Sequence, residues 1–238
     1  MLTNIVYSPM WLGVEPPRVP LSRLMNWFRR TRPQQIEVLK SFDRTDTIYD
    51  AGYDFEHEKG FVSLVTHPLT GEWFADFAEE FPELVAFFER YPMKNKRVFA
   101  QSYYADEDLS KRVHHKWHID RDTNQLGMRF SAYVDGKPRL MFRRIKPLYS
   151  RFYLNRHGRR CTVPAHHIEE KATLAPTLQE PHAWCFDTCS TVHAVDGYPI
   201  NDRSIFILYG DLDEDKLKEV LQASAERYPE HCLTFDGL

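Results

Sequence analysis

Between Arg97 and Tyr209 the chain runs as a succession of short segments rich in β-branched and aromatic residues, many of them closed by a turn signal. Apolar and polar side chains alternate in several of them, which is the pattern of strands with one buried face. The segments are Arg97–Tyr104, Val113–Ile119, Met128–Val134, Arg139–Ile145, Arg151–Leu154, Trp184–Asp187, Thr191–Val195 and Ser204–Tyr209. About eight short strands suit a jelly-roll double sheet. Asp135-Gly136 predicts a tight hairpin with Arg139–Ile145 as the returning strand. Residues 161–182 yield no assignment from pattern alone.

The flanks read differently. Pro9, Pro16, Pro17 and Pro20 forbid helix over residues 1–20 and suggest an extended arm on the surface. Leu21, Leu24, Met25 and Phe28 recur at helical spacing, and Pro33 is expected to end that helix and to open a short amphipathic turn over 36–40. Phe61–Thr66 reads as a strand. Trp73–Tyr91 reads as helix, with Phe74, Phe77, Phe81, Leu84, Val85 and Phe88 as a stripe for packing on a sheet. Pro82 either kinks it or begins a second helix. Asp213–Tyr228 predicts a final amphipathic helix with acids at its start. The expected fold is mainly β with flanking helices, a double-stranded β-helix of the jelly-roll, cupin-like kind. Residues 1–96 form the arm and packing helices, 97–210 the core and 211–238 the last helix, all in one compact domain.

Chemistry concentrates at two places in this core. His118 and Asp120 stand two apart in Trp117-His-Ile-Asp120, so an extended strand presents imidazole and carboxylate on one face. His193 follows in a second β-type segment. Two histidines and a carboxylate with open positions beside them make the facial set of non-haem Fe(II) oxygenases. Arg203 lies ten residues after His193, where a hairpin could aim its guanidinium at a carboxylate in the same cavity.

This order of residues resembles the 2-oxoglutarate and Fe(II)-dependent dioxygenases, closest to the aspartyl/asparaginyl β-hydroxylase and proline-hydroxylase branch. Trp184, Phe186, Asp187, His193, Val195 and Arg203 follow that branch's pattern, and the likeness spans roughly residues 98 to 210. It implies Fe(II) held by His118, Asp120 and His193, with 2-oxoglutarate and O2 as cosubstrates and Arg203 on the distal carboxylate. Arg129 and Ser131, two apart on one strand, would meet a carboxylate of cosubstrate or substrate. Trp117 and Phe186 would pack around the metal, and Gln101, Tyr103 and Asn124 would line the mouth. Asp120 supplies the acid that halogenase relatives lack. His114 and His115 fall outside the pattern, and His166 and His167 are expected to face solvent.

A net charge of -3 gives no overall basic field, so nucleic acid is an unfavoured partner. Lys137 to Arg160 is the exception, with nine Lys or Arg and no acid. Read as a hairpin beside the cavity, it would receive an anionic substrate, for which an amino acid, free, carrier-bound or in a peptide, is the first choice. A nucleotide or nucleic-acid oxidase of the same iron chemistry and a non-enzymatic jelly-roll binding protein are the rival classes. Cys161, Cys185, Cys189 and Cys232 form no Cys-x-x-Cys pair and read as reduced thiols. Without a leader pattern or an apolar run of ~20 residues, the expectation is a soluble cytoplasmic protein with no membrane segment.

Overall fold

The computed structural model describes residues 5–41, 60–103, 117–119, 127–134, 139–154, 161–176, 178, 181–186, 191–196 and 203–234. The strands are β1 (Ile5–Met10), β2 (Gly60–Leu64), β3 (Met93–Tyr103), β4 (His118–Ile119), β5 (Gly127–Val134) and β6 (Arg139–Arg143). They continue with β7 (Cys161–Thr162), β8 (Thr173–Leu174), β9 (His182–Phe186), β10 (Val192–Asp196), β11 (Arg203–Leu212) and β12 (Leu233–Thr234). The helices are α1 (Leu21–Ser41), α2 (Ala75–Glu80), α3 (Pro82–Phe88), α4 (Pro147–Leu154) and α5 (Glu214–Arg227).

Two sheets carry the structure. One has seven strands in the order β12-β1-β9-β5-β11-β3-β2, the other five in the order β7-β4-β10-β6-β8. All pairings are antiparallel. The mainly β architecture expected from the alternating segments is therefore present, with helices flanking it. Among the described residues, no helix is long and apolar enough to cross a membrane.

The larger sheet is covered on both faces. On one, Val98, Ala100, Cys185, Phe206 and Leu208 pack against Leu24, Trp27 and Phe28 of α1, Phe77 of α2, Leu84 and Phe88 of α3, and Leu217 of α5. Phe206 is the hub, with its ring 5.1 Å from that of Phe88, 6.3 Å from Phe77 and 6.4 Å from Phe28. Of the predicted stripe, Phe77, Phe81, Leu84 and Phe88 are buried, while Phe74 and Val85 are partly buried against the same cluster. On the other face, Tyr7, Trp184 and Phe186 meet Phe142 of the smaller sheet.

Several expectations need correction. The proline-rich start is no surface arm: Val6 to Met10 are buried and β1 lies inside the larger sheet, between β12 and β9. Pro9 is tolerated because β12 is two residues long and pairs opposite Ile5 and Tyr7, ending before the proline is reached. Pro33 does not end its helix, since α1 continues to Ser41. Its second half is held by Gln35, whose side chain donates to Thr31 and accepts from Leu64 N–H on edge strand β2 at 2.6 Å. Pro82 starts α3 at its first turn. Arg151–Leu154 belongs to helix α4 rather than to a strand. Nor is Arg139–Arg143 the returning arm of a hairpin, because β5 pairs with β9 and β11 while β6 joins the other sheet. The Asp135-Gly136 turn itself lies outside the described residues.

Replacing Phe206 with Ala empties the point where four aromatic rings meet, and is expected to cost about 3–5 kcal/mol. Urea unfolding read by fluorescence measures this, and a loss under 1 kcal/mol would show the packing to be loose.

At the β9–β1 seam, burial, with His231 nearby, pushes the His182 imidazole down to about 4 from an ordinary 6.5. Its Nε2 lies 3.5 Å from the Tyr7 hydroxyl. The unfolded chain takes up this proton first as pH falls, so His182 leaves stability intact above about pH 6.5 and erodes it down to about pH 4, by about 3 kcal/mol in all. Urea midpoints at pH 7.5 and 5 are expected to lie closer together in His182→Gln than in the wild type.

Candidate metal centre

The smaller sheet is built around β10. His193 is paired across the strands with His118 of β4 on one side and with Phe142 of β6 on the other. Directly opposite residues share a face, and here that face is turned towards the larger sheet. The Phe186 ring of β9 stands 4.8 Å from His193 in edge-to-face contact, and Phe142 and Phe186 lie 5.7 Å apart. Strand alternation sends the neighbours the other way. Ile119 and Val192 join Tyr153, Val163 and Ile168 in a separate outer cluster that includes α4.

Both imidazoles are withdrawn from solvent, His118 being 6% exposed and His193 0%. Their ring centroids lie 4.2 Å apart with the planes at 59°. His193 Nδ1 lies 3.0 Å from the Thr191 carbonyl. A carbonyl only accepts, so Nδ1 carries a proton and, in the neutral ring, Nε2 is the nitrogen left to bind a metal. Two imidazoles bound at a right angle to one ion, with metal–nitrogen distances of about 2.1 Å, would hold their centroids about 4.5 Å apart. The observed pair fits that spacing. Among the described residues, no three His, Cys, Asp or Glu side chains gather in a metal-holding group. Asp120, the carboxylate expected to complete the set, lies outside the described residues, as does Asn124.

For the other expected site residues the backbone register is given. Arg129 stands opposite Trp184 and Ile207, and Ser131 opposite His182 and Ile205. Arg203 opens β11 opposite Tyr103 and Val134. The Arg129 and Ser131 positions thus alternate in phase with Trp184, which packs towards the smaller sheet. The side chains of Arg129, Ser131, Arg203, Gln101 and Tyr103 lie outside the described residues. One expectation fails here: β10 and β11 belong to different sheets, so no hairpin links His193 to Arg203.

Trp117 sits on the outer side, where the Arg143 guanidinium covers its ring at 4.5 Å. It therefore braces β4 from behind, while Phe186 is the aromatic that touches a histidine. His167 is not simply solvent-facing, since it stacks on Tyr149 at 3.9 Å with its Nδ1 2.6 Å from the Tyr153 hydroxyl. His166 is exposed. Thr191 was not foreseen as a contributor, since it acts through a main-chain carbonyl, which no sequence pattern reveals. Arg143, one cation of the acid-free run expected to meet an anionic substrate, stands instead over Trp117.

No protein-family model matches the sequence, and no curated protein matches it. Among solved structures, the chain is similar to a prolyl hydroxylase in complex with a hypoxia inducible factor oxygen degradation domain peptide fragment, from Trichoplax adhaerens. That match has 11% identity and a TM-score of 0.37, covering 78% of this chain and 80% of the other.

If the two imidazoles share a cation, His118→Ala and His193→Ala each weaken Mn(II) binding by at least tenfold. Titration followed by electron paramagnetic resonance of free Mn(II) measures this. Equal affinity in wild type and variants would make the pair purely structural.

Proposed function

We propose that this chain is an Fe(II)- and 2-oxoglutarate-dependent dioxygenase of double-stranded β-helix fold, hydroxylating an unactivated C–H bond. The observation that carries the reading is the buried cross-strand pair His118 and His193, with the His193 tautomer set by the Thr191 carbonyl. In this reading His118, Asp120 and His193 hold the iron within the core formed by residues 97–210. Bound iron supplies the O2 activation and C–H oxidation that protein side chains lack, coupled to conversion of 2-oxoglutarate to succinate and CO2.

The chain's own groups do the positioning. The Thr191 carbonyl fixes the ring that His193 presents, and the Phe142 and Phe186 rings keep water from it. Arg203 is assigned the distal carboxylate of 2-oxoglutarate, where a guanidinium fork binds bidentately, with Arg129 and Ser131 as further polar contacts. The substrate assigned is an amino acid, free, carrier-bound or within a peptide. Before residue 97, β1 and β2 extend the larger sheet itself, while the helices before 97 and the last helix are assigned to packing around this core.

The test combines spectroscopy with turnover. Anaerobic Fe(II) plus 2-oxoglutarate is expected to give a weak visible charge-transfer band that His193→Ala abolishes. A screen of amino acids and short peptides should then reveal substrate-stimulated succinate formation. Absence of the band, or its survival in His193→Ala, would leave a β-sheet binding protein instead.

A further inference from the structure

The helix side of the larger sheet, away from His118 and His193, holds a separate opening. Trp27, Thr31, Gln35 and Val38 recur along α1 at steps of four, four and three, so they form one stripe. Phe74 and Asp76, at the start of α2, stand across from that stripe, and a cavity of about 110 Å³ lies between them. An apolar cavity of ~150 Å³ takes up a benzene ring, so this one suits a ring whose far end reaches out of it. Trp27, at 0% exposure, marks the deep end, whereas Gln34 and Asp76 are exposed at the mouth.

The polar groups of the wall are of two kinds. Thr31 Oγ1 donates to the Trp27 carbonyl at 2.9 Å and accepts from Gln35 Nε2 at 3.1 Å, while Gln35 Oε1 accepts from the Leu64 N–H. These groups are engaged within the fold and fix the shape of the wall. The Trp27 indole is different, because its Nε1–H is buried and meets no acceptor. Edge-on contacts with Phe77 at 5.0 Å and Phe28 at 5.5 Å hold the ring in place. A buried donor left unmet by protein calls for a water or a ligand oxygen. At the mouth, Asp76 enters no ion pair among the described residues, and Arg23 and Arg30 of α1 pair with Glu83 and Glu80 instead. Between the two ends, partly buried Val38 and Phe74 supply apolar surface. The lining therefore asks for an oxygen at the buried end, a flat apolar body and a cation at the rim.

We propose that this cavity binds a small aryl amine carrying a ring hydroxyl, whose oxygen accepts from Trp27 Nε1–H and whose ammonium faces Asp76. A carboxylate next to that ammonium would be brought against Asp76, so the site selects amines over the corresponding amino acids. It is separate from the His118–His193 site and needs no metal.

The test uses the whole chain, labelled with ¹⁵N, without added metal and titrated with tyramine. Of the five tryptophans, the indole N–H signal that Trp27→Phe removes is the one expected to move, with a Kd of about 1 mM for a ligand of ~10 non-hydrogen atoms. Phenethylamine, which lacks the hydroxyl, should bind about fivefold more weakly because it leaves the indole donor unmet. Asp76→Asn should weaken tyramine by about threefold, as fits an exposed charge pair, and tyrosine should bind more weakly than tyramine. Val38→Phe fills the cavity and should abolish binding with the thermal midpoint retained. Val38 and Asp76 lie outside the buried core, so these two variants test the site even where Trp27→Phe fails to fold. An indole signal that stays still at ~20 mM tyramine would leave the cavity to water and overturn the proposal. Equal binding of phenethylamine, or undiminished binding by Val38→Phe, would overturn it too.

Discussion

Burial of the larger sheet on both faces is the constraint from which the rest follows. A sheet with one face in water needs only alternation, but β11 and β9 must satisfy different partners with odd and even residues. Phe206 and Cys185 face the helices, while Trp184 and Phe186 face the smaller sheet. A one-residue slip of β9 would put Trp184 and Phe186 against helices already filled by Phe77 and Phe88, so both layers fix the register together. Aromatic rings supply much of the bulk on each side, and their tilted and edge-on contacts limit how the layers settle.

The candidate site is a by-product of that arrangement. Phe186 is a core residue of the larger sheet and also the ring against His193, so site and core share a wall. The central place of β10 in its own sheet brings His118 and Phe142 to the same level on either side. Behind it, the Tyr153 cluster closes the outer face and stiffens the same two strands. Side chains held between two packed layers lose little further freedom when a ligand arrives, which favours a site built on strands over one built on loops.

Much of this was legible in the order of residues. The alternating segments marked most strands, and the Phe77–Phe81–Leu84–Phe88 spacing marked a buried helical face. His118 and His193 were picked out by residue type and context, and they do meet. What misled was local chemistry read without its tertiary setting. Asp-Gly after Val134 looks like a hairpin, but in a layered fold a strand end may cross to the opposite sheet, and turn chemistry does not say which. The same ambiguity produced the hairpin expected between His193 and Arg203. Pro9 and Pro33 were read as breakers because propensity sees neither the short reach of β12 nor the tether from Gln35 to Leu64. The Thr191 carbonyl had no sequence signal at all.

The place of β1 has a consequence for how the chain comes to be folded during synthesis. The strand is made before the other described elements, yet both its neighbours, β9 and β12, lie more than 170 residues further on. Until His182 to Thr234 have left the ribosome, Val6, Tyr7 and Met10 have no partner strand to cover them, and an apolar segment waits while the intervening elements are made. Docking of β1 is therefore a late, long-range closure, and the proline at its ninth position discourages that waiting segment from pairing with other chains.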